Sequence, residues 1–462
     1  MRASAIVEVA GVPSASLTCE GFLGQARTTA SGLGFPSLPL AKMPGHVDAQ
    51  SADELRDIIV GRVTADIVKQ LTEPPIATTA GGDPDPQQPV FSGSTEEVNR
   101  LFYENGWTDG LPIVPPTEER FADFMGFTAR AQSDHLGVLA PEYRRITVRN
   151  VAVNGIMANC APEYMPVLVA IAEILGDPAY GAEHSGDTTG GDALITLSGP
   201  LVDTLEFNAR QAVLRDGPRA NTSIGRFLRL LLRNVGGFVP GRGDMATFGH
   251  TWRVVLAESQ SAIASLGWSS HAMDQGFTAT DSVVTIGRYT GQTTVGSIYG
   301  STPEQILPYL ADGLAQQPGW ELAFTAGMAP GSSRPMLVLS PMVAAVFANA
   351  GWSKHDVQAA LFARARIPAS KFERYLTDWS RLVPPNRSLV DLANLGLASA
   401  PFAEDDDPDR AVPVVAAPEH ILIIVSGDPF RANAEVLTSN GMHGYPTSRK
   451  VDTSRLPLNR DP

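Results

Sequence analysis

Ile421-Leu422-Ile423-Ile424-Val425 runs without interruption into Ser426-Gly427-Asp428-Pro429. Five apolar residues, mostly β-branched and closed by a polar Gly/Pro turn, describe a buried strand whose carboxyl end opens into a loop. In an open α/β sheet that is the usual place for a ligand. Similar short apolar runs recur at residues 194–197, 283–286 and 336–339, while residues 164–175, 224–232 and 353–363 carry apolar side chains at helical spacing. The alternation predicts a large mixed α/β domain over residues 95–462, with room for two subdomains.

Further upstream, Ser51-Ala52-Asp53-Glu54 is a capping box followed by Leu55, Ile58, Ile59, Val63, Ile67 and Leu71, which predicts one helix ending near Leu71. Ser16-Leu17-Thr18 and Leu38-Pro39-Leu40 read as short strands with a helical or loop crossover at 21–30 between them. Residues 1–72 therefore read as a small, incomplete α/β module, and the Pro/Gly-rich residues 73–94 as an exposed linker. Ser94-Thr95-Glu96-Glu97 opens a second helix that ends before Gly106.

Composition narrows the function classes. The 462 residues are 43% hydrophobic and only 18% charged, with 43 Gly and 36 Pro, which favours a loop-rich globular protein over a coiled coil or a disordered chain. The net charge of −14, from 35 Lys and Arg against 49 Asp and Glu, makes nucleic acid and anionic membrane poor partners. Apolar runs such as 165–171 fall far short of a membrane span. The stretch before Glu8 lacks an apolar core, so no secretory signal and a cytoplasmic location are expected. Two cysteines, Cys19 and Cys160, are too few for a disulfide scaffold or a Cys-rich metal site, and no local motif assigns a cofactor.

Three stretches could carry chemistry. In Asn159-Cys160-Ala161-Pro162-Glu163-Tyr164, Pro162 would open a helix and Cys160 would lie near its positive end, where a thiolate is stabilised as a nucleophile or redox centre. A buried, inert thiol is the alternative. In Glu183-His184-Ser185-Gly186-Asp187-Thr188-Thr189-Gly190-Gly191-Asp192, the amides of Thr188, Thr189, Gly190 and Gly191 could approach an anionic or carbonyl substrate while His184 and Asp187 move a proton. A plain polar turn has the same composition. In the third, residues 217–226, Asn221 or Thr222 could cap the next helix, leaving Arg219 and Arg226 to hold a carboxylate, phosphate or sulfonate; surface arginines beside a cap are the alternative. Asp244 and His250 in a Gly-rich segment, taken with His184, Asp187 and His271, are metal candidates without a local ligand spacing, and Glu163 is a further proton carrier beside Cys160.

The segment Cys19-Glu20-Gly21-Phe22-Leu23-Gly24-Gln25-Ala26-Arg27, then 38–42, Pro44-Gly45-His46-Val47 and the helix after Ser51, resembles the second half of the UGSC-like domain, a small α/β module named for a Sec/Cys-Gly-Ser-Cys motif. Residues 107–117, 154–166, 187–191 and 219–226 are similar to the large region that accompanies this module in some bacterial proteins. No Cys-Gly-Ser-Cys occurs in this sequence, so the family's thiol or selenol chemistry transfers to no residue. The motif is lost, supplied by another subunit, or dispensable here.

The resemblance implies a bacterial enzyme. The leading expectation is a cytoplasmic α/β enzyme acting through the Cys160 thiol on a small polar or anionic organic substrate, sulfur-containing ones included, with all three stretches facing one electropositive crevice. A metal-assisted hydrolase, hydratase or lyase is the second expectation, and a non-catalytic subunit the third. An incomplete module calls for a homo-oligomer or partner subunit to cover it.

Overall fold

The computed structural model describes residues 1–73, 89–316, 319–379, 387–439, 441 and 444–457. Most of the expected linker, residues 74–88, lies outside the described residues.

At the amino terminus, α1 (Arg2–Val9), β1 (Ser16–Cys19), α2 (Leu23–Gly32), β2 (Leu40–Met43), α3 (Ala52–Ile58) and α4 (Thr64–Thr72) form the small α/β unit. β1 and β2 pair in parallel with Ser16 opposite Leu40. The second strand starts after Pro39 rather than at Leu38, because a proline has no N–H to give to a ladder. The helix expected after the Ser51 capping box runs without a break to Thr72, α3 and α4 being joined by a π turn at Ile59–Val63, where Gly61 follows two β-branched residues. Ala41, Met43 and Val63 form one buried cluster in this unit, and Ala30 and Leu38 are buried as well.

The larger region begins with α5 (Thr95–Glu104), α6 (Glu118–Met125), the hairpin of β3 (His135–Leu139) and β4 (Arg144–Thr147), α7 (Val148–Met157) and α8 (Met165–Leu175). Then come β5 (Asp192–Ser198), α9 (Leu201–Thr204), α10 (Arg219–Asn234), β6 (Val255–Ala257), α11 (Gln260–Leu266), α12 (His271–Asp274) and β7 (Val283–Val295). The last part carries α13 (Pro303–Gln316), β8 (Met336–Leu339), α14 (Pro341–Asn349), α15 (Lys354–Arg364), the short pair β9 (Arg366–Pro368) and β10 (Ala411–Pro413), then β11 (Leu422–Val425), β12 (Ala434–Ser439) and β13 (Thr447–Lys450).

One seven-stranded sheet joins these parts in the order β11-β8-β12-β7-β5-β6, with β13 also on β7. β5 and β6 are parallel, as are β8 and β11; the other pairs are antiparallel. β7 is the hinge of the sheet. Its first half, 283–289, pairs with β5 and its second half, 289–295, pairs with β12.

That stagger curls the sheet until its outer strands touch at one corner. The Ser259 amide donates to the Val425 carbonyl at 2.9 Å, and the Ser426 hydroxyl to the Ala257 carbonyl at 2.7 Å. Side-chain alternation then sorts the core. Leu194, Leu256, Tyr289, Val338, Ile424 and Leu437 face inward as one cluster, while Ile195, Leu197 and Ile286 pack under α7, α8 and α10. Leu337, Ile423 and Val436 pack under α13, α14 and α15. Among the described residues no helix is long and apolar enough to cross a membrane.

α10 lies against the chain entering β6 with no side chain between them. A Cβ on Gly225 would sit 2.2 Å from the Arg253 carbonyl carbon. Gly225→Ala must therefore push the helix away from backbone, and a loss of about 1–3 kcal/mol is expected, read as a shifted denaturant midpoint with unchanged far-UV circular dichroism.

Candidate functional site

α10 begins at Arg219 behind Pro218, one turn earlier than a cap at Asn221 or Thr222 would allow. Asn221 is buried inside the first turn, where it accepts from the Asn208 amide at 2.9 Å and donates to the carbonyls of Asn208 at 3.0 Å and Val255 at 2.8 Å. Its amide is a rivet between α10 and β6 and is fully used by the fold. The Thr222 hydroxyl accepts from the Gly217 amide at 2.8 Å.

The two arginines are also engaged. Arg219 donates to the carbonyls of Asn159 at 3.1 Å and Cys160 at 3.3 Å. Arg226 grips Asp109 with both Nε, at 3.0 Å, and Nη2, at 2.8 Å. Burial pushes the Asp109 carboxyl up, but the hydrogen bond and charge of Arg226 outweigh it and hold the group below the usual carboxylate range. A fork already closed on a carboxylate has little left for an external anion.

Cys160 sits in this group, with a relative exposure of 4%. Its amide closes the end of α7 on the Gly155 carbonyl at 2.9 Å, and Pro162 opens a 3-10 turn, Pro162–Tyr164, that runs into α8, as the sequence predicts. Burial pushes the thiol up to about 12, against the opposing pull of the Ser223 hydroxyl and the charges of Arg219 and Arg226. The shift runs opposite to the one expected of a nucleophile.

The structure thus brings Cys160, Arg219 and Arg226 together but takes the remaining candidates elsewhere. Glu163 lines a recess of about 360 Å³ with Phe127, Tyr164 and Glu206. The turn at 186–190 is zipped by its carbonyls to the loop 245–250: the amides of Met245, Thr247 and His250 donate to Gly186, Thr188 and Gly190 at 3.0, 3.1 and 3.1 Å. The Gly190 amide goes to the Asp187 carboxylate at 2.9 Å, and the Thr189 hydroxyl reaches the same oxygen at 2.7 Å. Thr188 and Thr189 are exposed, whereas Gly190 and Gly191 are buried. Burial pushes His184 below its ordinary value. Among the described residues no three His, Cys, Asp or Glu side chains are grouped to hold a metal ion, so His184, Asp187, Asp244 and His250 do not form a ligand set.

A site the sequence did not point to lies beside the corner where β6 meets β11. Glu258, the residue after β6, is completely buried. Its Oε2 accepts from the Ser198 hydroxyl at 2.6 Å and from the His271 amide at 2.8 Å, and its Oε1 lies 3.4 Å from Lys354 Nζ. Lys354, itself only 5% exposed, donates to Asp274 Oδ2 at 2.9 Å. Ser269 holds the other Asp274 oxygen.

Local sequence explains the placement. Ser270 caps α12 by accepting from the Met273 amide, so the amides of His271 and Ala272 are left to face Glu258 and Ser198. Ser353 and Asp356 form the capping box of α15, which puts Lys354 in the first turn of that helix.

Lys354, Asp274 and His271 line a cavity of about 520 Å³ walled by Trp268, Trp352 and Glu419. Buried His271 Nε2 has no hydrogen-bond partner. Burial, with the Lys354 charge adding to it, pushes the imidazole down to about 3, so it stays neutral at physiological pH. Burial raises Glu258 above the ordinary carboxyl value, opposed first by the charge of Lys354. An amine and a carboxylate on the wall of one cavity, with a buried carboxylate behind the amine and a neutral imidazole beside it, can bind a small polar molecule and move protons on it.

The α/β unit at the amino terminus is where a known family enters. Residues 1–73 match the UGSC family. No curated protein matches the chain. The UGSC segment rests on the larger region through Arg2, which donates to the Tyr143 hydroxyl at 2.9 Å and to Glu183 at 2.8 Å, and through Gly32, which abuts the Glu142 backbone. Its one cysteine, Cys19, ends β1 half-buried. The cavity of Lys354 and His271 lies outside the matched residues.

Two outcomes follow for these side chains. A rise from 9.0 to about 12 cuts the thiolate fraction of Cys160 roughly 1,000-fold at pH 8, so iodoacetamide should alkylate it that much more slowly than in the urea-unfolded chain, read by peptide mass mapping. His271 takes up a proton below pH 6.5 in the unfolded chain but only near pH 3 in the folded one. Its contribution to stability is therefore present above pH 6.5 and declines as the pH falls toward 3, by up to about 1.4 kcal/mol per pH unit. The difference in denaturant stability between wild type and His271→Gln across that range should carry this slope.

Proposed function

We propose that the chain is an enzyme that transfers protons on a small polar organic substrate bound in the cavity of Lys354, Asp274 and His271. The observation that carries this reading is a buried lysine held by two carboxylates on the wall of the cavity, with His271 beside it.

The roles follow from position. Asp274, the partly exposed carboxylate, is the proton carrier at the cavity. Lys354 supplies positive charge for a carbonyl or carboxylate oxygen as negative charge develops on it. Neutral His271 lines the cavity beside them and adds no charge to it. Glu258 lies behind Lys354 and positions it.

A second reading keeps the thiol. Arg219 and Arg226 near Cys160 favour it, and the raised thiol opposes it. The two readings separate in one assay, the exchange of carbon-bound hydrogen for deuterium from D2O in a panel of small oxo, hydroxy and amino acids, followed by proton NMR. Asp274→Asn is expected to slow exchange about 100-fold or more while Cys160→Ala leaves it within about twofold. Loss of exchange in Cys160→Ala with retention in Asp274→Asn would transfer the chemistry to the thiol; no exchange on any panel member would end the proton-transfer reading.

A further inference from the structure

We infer that Lys354 forms a covalent imine with a small aldehyde or ketone in this cavity. The inference rests on the proton-transfer reading and adds to it the substrate class and the reacting atom.

Lysine is scarce in this chain, with only Lys42, Lys69, Lys354, Lys371 and Lys450. Four are exposed; Lys354 alone is buried. It is also the one that lines the cavity, with its nitrogen 2.9 Å from Asp274 and 3.4 Å from Glu258. A lysine used only to cover surface or to raise solubility does not need two carboxylates and a 520 Å³ space in front of it.

The protons and electrons balance within the site. Asp274 removes one proton from the ammonium, and the freed lone pair attacks the carbonyl carbon, forming the C–N bond as the C=O π pair moves to oxygen. That oxygen takes the proton back from Asp274. A second nitrogen proton then leaves by the same carboxylate and joins the oxygen, which departs as water while the nitrogen lone pair closes the C=N bond. Of the three hydrogens on the ammonium, two end in water and one stays on the iminium. No oxidant, reductant or external acid is required.

Charge is what makes the site suited to this step. The ammonium and the iminium carry the same positive charge on the same nitrogen, so the Asp274 and Glu258 pair that holds the first holds the second without reorganisation. Loss of a proton from the carbon next to the iminium is the reaction class that follows, in a cavity that Asp274 and His271 line together with Lys354.

The test is reductive trapping. The full chain is incubated with acetaldehyde, acetone or pyruvate in the presence of sodium cyanoborohydride, and the labelled lysines are located by peptide mass mapping, with the four exposed lysines as internal controls. Lys354 is expected to label about tenfold faster than any of them with at least one probe, and Asp274→Asn, confirmed as folded by circular dichroism, to lower the Lys354 rate about tenfold. Labelling confined to the exposed lysines with all three probes overturns the inference, as does an Asp274→Asn protein that traps at the wild-type rate. Deuterium exchange that persists without trapping at Lys354 refutes the imine and leaves the proton-transfer reading standing.

Discussion

The double pairing of β7 governs the rest of the molecule. Thirteen residues are too many for one neighbour of seven, so the strand gives its first half to β5 and its second to β12. A ladder offset of this size cannot stay flat, because each right-twisted pair rotates the next. The offset carries β6 round to β11, and the two outer edges close at Ser259 and Ser426. One bend in one strand thereby produces an inward-facing apolar cluster, two outer helical layers and a corner at which Glu258 has no route to water.

Burying that carboxylate is expensive, and its surroundings are arranged to offset the cost. Two amide or hydroxyl donors, from His271 and Ser198, fill one oxygen, and the Lys354 ammonium approaches the other. A buried ion pair seldom adds net stability over an apolar replacement, so its presence next to a cavity suggests a use in chemistry more than in folding. The Asp109 and Arg226 pair is the contrasting case. It is bidentate, closed, and backed by the Pro112 carbonyl at 2.9 Å, and its work is to tie the loop after α5 to α10.

The fold was more legible in the sequence than the site. The strand at 336–339 coincides with its apolar run, and the helices behind Ser51, Ser94 and Ser353 start where their capping boxes say. β12 and β13 were not visible because Ala-Glu-Val-Leu-Thr-Ser and Thr-Ser-Arg-Lys mix polar residues into both faces and take their stability from β7. Local composition drew attention to Cys160 and the Gly/Thr turn, but glycines serve close packing as often as ligands, and Gly190 abuts Gly249. Lys354 belongs to no local motif, and His271 stands out only as a metal candidate beside His184 and His250. What distinguishes them is a contact across 96 residues between Lys354 and Glu258, which no short window contains. The one available signal was scarcity, since a chain with five lysines that places one beside a capping box has few to spare.

The carbonyl zipper between residues 186–190 and 245–250 carries a different consequence. Neither ribbon has regular structure of its own, and each takes its shape from the other. The two ribbons lead side by side into β5 and β6, so a shift of backbone in one takes hydrogen-bond partners from the other.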